Sequence, residues 1–220
     1  MLIYVTHAGG RYLPLEESLA VMPEGKRGFY VNITNKCNCA CTFCLRQKKQ
    51  MAESSTLWFH GQEPTVEELK AALDGAPWAY AKELVFCGFG EPTMRLEVLL
   101  ELLAYAKKLQ PELPTRLNTN GLANLEYGQD ITPRFAGILD TISISLNASN
   151  AQRYYELTRA KYGLASYDGM LDFAVRAKAH VPHVVLTIVD HVEGPEEIAR
   201  CRELCEEKGL MLRVRPYEAN

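Results

Sequence analysis

Seven cysteines occur in this chain, and four fall within eight residues, in the run Asn35-Lys36-Cys37-Asn38-Cys39-Ala40-Cys41-Thr42-Phe43-Cys44. Cys37, Cys41 and Cys44 have the spacing C-x3-C-x2-C and follow a strand-like segment, Gly28 to Thr34. Three thiolates on one short loop can hold three irons of a cubane 4Fe–4S cluster and leave the fourth iron open to a small molecule. A structural site closes its coordination with a fourth side chain instead. Cys39 puts one more thiol inside the loop. It is an alternative ligand, although the frame is complete without it.

Four later segments carry polar groups suited to a charged ligand. Cys87-Gly88-Phe89-Gly90-Glu91-Pro92-Thr93 joins two glycines, which permit close backbone approach, to a carboxylate that complements an ammonium. Arg116-Leu117-Asn118-Thr119-Asn120-Gly121 ends in an Asn-Gly turn whose Asn120 has both donor and acceptor groups. In Ile142-Ser143-Ile144-Ser145-Leu146-Asn147-Ala148, strand alternation places Ser143, Ser145 and Asn147 on one face. Polar side chains facing inward need partners, and a ribose would supply them to Ser145 and Asn147. The segment after it holds Arg153 and Arg159, either of which suits a carboxylate; both also read as surface arginines. Asp190 and His191 lie at a strand end. Cys201 and Cys205, four apart on a helical pattern, read as a buried inert pair. Arg46, Lys48 and Lys49 form a basic stretch, either solvated or a dock for an acidic electron donor.

The elements that must position these residues alternate along the chain. Strand-like runs lie at Phe29–Thr34, Glu83–Cys87, Thr115–Asn118, Thr141–Leu146, Val184–Val189 and Leu210–Arg215. Helical patterns lie at Thr65–Leu73, Leu96–Leu109, Pro133–Ile138, Tyr167–Ala179 and Pro195–Lys208. Pro64-Thr65 ahead of Glu67 and Glu68, and Pro195 ahead of Glu196 and Glu197, are helix starts. Six strands with intervening helices imply a parallel α/β sheet with right-handed crossovers. That is too few for a closed eight-unit barrel, so an open (β/α)6 partial barrel is expected, with its site past the C-terminal strand ends. Residues 1–27 read as an N-terminal extension with a β-hairpin around Gly9-Gly10, and residues 28–220 as the core domain. The segment 51–64 reads as an active-site loop or flap.

With 47% hydrophobic and 23% charged residues, the composition is that of an ordinary globular domain. A net charge of −3 gives no general attraction to nucleic acid or an anionic membrane. No apolar stretch approaches the ~18 residues that span a bilayer, and Met1 to Gly10 lack a signal-peptide pattern. A cytoplasmic location is expected, and there the clustered cysteines indicate metal chemistry rather than disulfides.

The cysteine spacing resembles that of the radical SAM enzymes, and the Gly-Phe-Gly-Glu-Pro, Asn-Thr-Asn-Gly and Ser-x-Ser-x-Asn segments follow in that family's order. The full wording, Asn-Lys-Cys-Asn-Cys-Ala-Cys-Thr-Phe-Cys-Leu-Arg included, looks most like the TatD-linked radical SAM proteins. The resemblance implies that Cys37, Cys41 and Cys44 hold a 4Fe–4S cluster whose open iron is chelated by S-adenosylmethionine. The reduced cluster would cleave that sulfonium to a 5′-deoxyadenosyl radical, which abstracts hydrogen from a substrate. It further implies that Phe43 lies near the adenine, that Gly88, Gly90 and Glu91 meet the methionine ammonium, and that Asn120 lies beneath methionine and ribose. Ser145 and Asn147 would contact the ribose, Arg159 (or Arg153) the carboxylate, and Ile188 and Val214 the adenine. Implied partners are a reductant such as flavodoxin or ferredoxin, a large substrate or partner subunit covering the open side of a short barrel, and a TatD-type nuclease. A non-catalytic Fe–S or zinc module, or a regulatory binding protein on the same fold, is the alternative reading.

Overall fold

The computed structural model describes residues 1–7, 11–44, 57–190 and 192–216. The strands among them are β1 (Ile3–His7), β2 (Arg11–Pro14), β3 (Arg27–Val31), β4 (Ala81–Phe86), β5 (Thr115–Thr119), β6 (Thr141–Ser145), β7 (His183–Val189) and β8 (Met211–Arg215). They form one open sheet in the order β2-β1-β3-β4-β5-β6-β7-β8. The six strands from β3 onward run parallel, while β1 pairs antiparallel with both β2 and β3. The expected six-stranded partial barrel is thus present, and the N-terminal hairpin extends its sheet. Gly9-Gly10 lies outside the described residues.

The helices are α1 (Leu15–Val21), α2 (Val66–Asp74), α3 (Leu96–Leu109), α4 (Ala123–Tyr127), α5 (Ala151–Thr158), α6 (Ala165–Ala177) and α7 (Pro195–Glu207). Start signals act where the sequence puts them. Thr65 and Glu68 form a reciprocal capping box at the head of α2, and Pro195 opens α7. Four short elements depart from the reading. Leu15–Val21 is helical inside the extension read as a hairpin, Pro133–Ile138 shrinks to a 3-10 turn at Thr132–Phe135, and α4 and α5 are absent from the expected helices. The signal for α5 was Asn150, whose side chain accepts the Arg153 N–H as an N-cap.

One face of each parallel strand is apolar. Phe29, Val31, Leu84, Phe86, Leu117, Ile142, Ile144, Leu186 and Ile188 are essentially inaccessible and pack with Leu99, Leu103 and Phe173 of the covering helices. The other face carries Glu83, Arg116, Asn118, Ser143, Ser145 and Thr187 beside the buried Val85. Arg27, the first residue of β3, donates to the carbonyls of Ser18, Met22 and Gly25, which fixes α1 and its exit turn to that strand. No helix among the described residues is long and apolar enough to cross a membrane.

Candidate functional site

β3 ends at Val31, and the chain turns at once into the cysteine loop. Backbone hydrogen bonds fasten this loop from outside. Ala40 N–H donates to the Thr158 carbonyl at 2.9 Å and Thr42 N–H to the Leu157 carbonyl at 2.8 Å, both at the end of α5. Lys161 N–H donates to the Asn38 carbonyl at 2.9 Å. The Asn38 amide donates to Glu126, which also holds Lys161 and Tyr162. The base is held by 57–64: Thr34 and the Asn35 N–H both donate to Glu63, and Asn35 exchanges hydrogen bonds with the Phe59 backbone. Residues 51–56 of the expected flap lie outside the described residues, as do Arg46, Lys48, Lys49 and His191.

Cys37, Cys41 and Cys44 are half-buried in the loop, with Phe43 packed beside them against the core, and no cysteine is in a disulfide. Cys39 is different. It is buried in the hydrophobic core, 8% exposed, and its thiol lies 3.5 Å from the Asn120 amide nitrogen. Neighbouring Cys37 and Cys41 thiols, with burial, push its ionisation far above the ordinary thiol range. Asn120 also donates to Asn38 Oδ1 at 2.6 Å and stands 4.0 Å from Cys37 Sγ. It therefore sits against the cysteine loop itself.

Glu91 differs from its expected role. Its carboxylate is 4% exposed, and four donors of the chain surround it: the Thr93 N–H and hydroxyl, the Thr119 hydroxyl, and the Asn120 N–H at 2.7 Å. Burial raises its pKa, and those donors pull it back. A carboxylate so occupied braces two turns rather than facing an ammonium. Gly88 and Gly90 are glycines for a related reason. A Cβ at Gly88 would lie 2.1 Å from Asn32 Oδ1, and one at Gly90 would lie 2.3 Å from the Thr34 carbonyl oxygen and 2.7 Å from that of Lys36. The close approach is to the base of the cysteine loop, which a sequence without partners does not reveal.

Strand β6 ends at Ser145. Asn147 leaves it in the left-handed region, φ 62°, where asparagine is among the least strained side chains. Its Oδ1 is buried with no hydrogen-bond partner among the described residues. Ser143 is satisfied by Arg213 at 3.0 Å. Arg159 is exposed at the end of α5, beside the loop, in the left-handed region at φ 46°, and makes no ion pair among the described residues. Arg153 is committed to Glu193 and Glu156. Asp190 N–H donates to the Arg215 carbonyl. Cys201 and Cys205 are fully buried, and burial pushes their thiols up to about 12 and about 11.

Ile188 and Val214 do not reach the polar face. They pair in register, alternating with Thr187 and Arg213, and Ile188 is buried in the helix-covered core with Leu186 and Ile144. The period of two along β7 and β8 sends them to the opposite side from Ser145. One residue that the sequence reading missed is Tyr154 on α5. Its hydroxyl is buried, with no partner among the described residues. Burial, then Cys39, Cys41, Glu91 and Cys37, hold its ionisation well above the usual range. Without α5, nothing placed it near the loop.

These features fit a cluster and its small-molecule ligand. The donor set is soft sulfur with no carboxylate in the loop. The orphaned Asn147 and Tyr154 oxygens supply polar groups that await a partner.

Known proteins agree. The GTP 3′,8-cyclase of Corynebacterium glutamicum (strain R) is 28% identical over 197 residues, 85% of this chain and 48% of that enzyme. The probable GTP 3′,8-cyclase of Methanosarcina acetivorans is 29% identical over 67% of this chain and 42% of its own length. The chain thus spans about half the length of the curated relatives it matches, or less. Among solved structures, Streptococcus suis SuiB bound to precursor peptide SuiA superposes with a TM-score of 0.63 at 16% identity, over 92% of this chain and 43% of SuiB. Methylornithine synthase (PylB) gives 0.59 at 16% identity, over 86% and 53%; both are likenesses of fold. A family model described as the Radical SAM superfamily matches residues 31–205. With that match on this sheet, the chain belongs to the radical SAM superfamily, whose enzymes use a 4Fe–4S cluster and S-adenosylmethionine.

Proposed function

We propose that this enzyme binds a 4Fe–4S cluster through Cys37, Cys41 and Cys44 and uses S-adenosylmethionine to abstract a hydrogen atom from its substrate. The observation that carries the reading is the C-x3-C-x2-C loop at the C-terminal end of β3, braced by α5 and facing the polar side of the sheet. Held by Cys37, Cys41 and Cys44, a reduced cluster would supply the one electron that splits the sulfonium into methionine and a 5′-deoxyadenosyl radical. The chain's part is to hold and orient. Gly88 and Gly90 offer backbone carbonyls to the ammonium, with Glu91 holding their turn in place. Asn120 bears on the cysteine loop from below. Ser145 and the orphaned Asn147 oxygen meet the ribose hydroxyls, Phe43 flanks the adenine, and Arg159 pairs with the carboxylate. Cys39, the most buried thiol of the loop, lies outside the C-x3-C-x2-C frame and is assigned no iron.

The wording of the cysteine loop supports a reading of the chain as one of the TatD-linked radical SAM proteins, with residues 1–27 as an extension of a core at 28–220. A flavodoxin or ferredoxin would serve as reductant, and a TatD-type nuclease as a functional partner. The test is anaerobic reconstitution with iron and sulfide, reduction, and assay for 5′-deoxyadenosine. The wild type is expected to form it, and Cys37→Ala, Cys41→Ala and Cys44→Ala are not. A wild type that binds a full cluster yet forms no product would overturn the reading and favour a non-catalytic Fe–S module.

A further inference from the structure

The Tyr154 hydroxyl has no use within the fold. Tyr154, Leu157 and Thr158 stand at i, i+3 and i+4 on α5 and form the buried side of that helix. Leu157 and Thr158 accept the Thr42 and Ala40 N–H groups on their carbonyls, and Thr158 donates its hydroxyl to the Tyr154 carbonyl at 2.8 Å. Tyr154 thus lies one turn before the point where the cysteine loop is fastened. Its side chain is fully buried, in the core against which Cys37, Cys41 and Phe43 pack and to which Cys39 belongs. Its hydroxyl oxygen has no hydrogen-bond partner among the described residues. The groups whose charge acts on it are Cys39, Cys41, Glu91 and Cys37. Both oxygens of Glu91 are taken by Thr93, Thr119 and Asn120. That leaves the sulfurs of the loop as acceptors.

The adjacent tyrosine makes the contrast. Tyr167, with its ring centroid 5.7 Å from that of Tyr154, donates its hydroxyl to the Ser149 carbonyl at 2.6 Å. A buried hydroxyl without a partner destabilises a fold, and phenylalanine would fill the same space without that cost. Such a group fits an acceptor that forms when a ligand is bound. The loop sulfurs already draw donors from the chain: Cys37 Sγ accepts the Cys39 N–H at 3.4 Å and stands 4.0 Å from the Asn120 amide. Cys41 precedes Cys37 among the charges acting on Tyr154, and Cys39 is assigned no iron. A reduced cluster puts more negative charge on its sulfurs, so a hydrogen bond to one of them favours the reduced state.

We propose that the Tyr154 hydroxyl donates a hydrogen bond to the Cys41 thiolate of the loaded enzyme and raises the reduction potential of its cluster. The presence of the cluster rests on the radical SAM reading above.

The test compares full-length wild type with Tyr154→Phe, each reconstituted anaerobically and checked for equal iron and sulfide. A redox titration with dithionite, which supplies one electron per cluster, is followed by electron paramagnetic resonance. In Tyr154→Phe the reduction equilibrium is expected to move at least threefold toward the oxidised form, roughly 28 mV lower at 59 mV per tenfold. Melting curves give a second measurement. The metal-free variant is expected to melt at or above the wild type, because it loses an unmet hydroxyl and keeps the ring, while the wild type gains more in Tm on cluster loading. An unchanged or higher potential in Tyr154→Phe, or a metal-free variant that melts below the wild type, would overturn the proposal. Assaying 5′-deoxyadenosine on the loaded wild type separates the two readings. A shifted potential without product sinks the radical chemistry and leaves the hydrogen bond, product with equal potentials sinks this proposal alone, and a wild type that binds no cluster sinks both.

Discussion

One oxygen of the Glu91 carboxylate accepts the backbone N–H of Asn120 at 2.7 Å, while the other is taken by Thr93 and Thr119. Through this bond the turn after β4 sets the height of the turn after β5, and Asn120 then touches the cysteine loop. Glu91→Gln replaces an acceptor with an amide that faces donors. We expect a loss of about 1–3 kcal/mol, the cost of leaving buried donors unmet, read from denaturant melts. Iron content after reconstitution should fall as well, and wild-type stability with full iron loading would contradict the bracing role.

Gly90→Ala tests the contact between the two loops. Its Cβ would meet the Thr34 and Lys36 carbonyl oxygens, which belong to backbone and have little room to move. Overpacking of this kind costs about 1–3 kcal/mol. A lower Tm together with poor cluster retention is expected. The same change at Gly194, which has open space around its Cβ position and an ordinary negative φ, should leave cluster loading as it was.

The cysteines divide three to one. Cys39→Ala is expected to keep a full 4Fe–4S complement by iron and sulfide analysis, with some loss of stability because the side chain is buried in the core. Loss of the cluster in Cys39→Ala, with retention in Cys44→Ala, would reverse the assignment.

Arg159 and Arg153 make a matched pair of controls on one helix. Hydrogen bonds to charged groups contribute about 1.5–3 kcal/mol, so Arg159→Gln should weaken S-adenosylmethionine binding by roughly 10–100-fold. Arg153→Gln, which gives up only its bonds to Glu193 and Glu156, should bind as the wild type does. Equilibrium dialysis with labelled ligand reads both.

Asp140 supplies a pH test away from the site. Lys107 at 2.6 Å and the Thr115 N–H at 2.7 Å lower its carboxyl pKa below the ordinary 3.8. A depressed carboxyl stabilises the fold fully above 3.8 and loses that contribution as pH falls through its lower folded value. Asp140 is more than a third exposed, so solvent reduces the effect to on the order of 1 kcal/mol. Asp140→Asn should lower the neutral Tm by about 2–4 °C and give a shallower decline of Tm with acid than the wild type. Parallel Tm-versus-pH curves would refute it.

The sheet was legible because its two signals are local. Apolar runs bounded by turns mark β3 to β8, and Leu96–Leu109 was read to its observed ends. The cysteine spacing is equally local. What escaped were relations between segments. Glu91 read as a free carboxylate because its four donors come from elsewhere in the fold. Ile188 and Val214 were placed by strand number, whereas alternation decides which face a residue occupies, and a shift of one position reverses it. Tyr154 depends on a helix of eight residues that propensity alone did not announce.

The tie between the cysteine loop and α5 bears on how the metal enters. With Ala40 and Thr42 already pinned to the helix end, the thiols are spaced before iron arrives. Loading is then a docking event on a prepared frame, unlike a zinc finger, where metal and folding are one transition. A chelator should strip such a chain without melting it, and the empty form can be refilled.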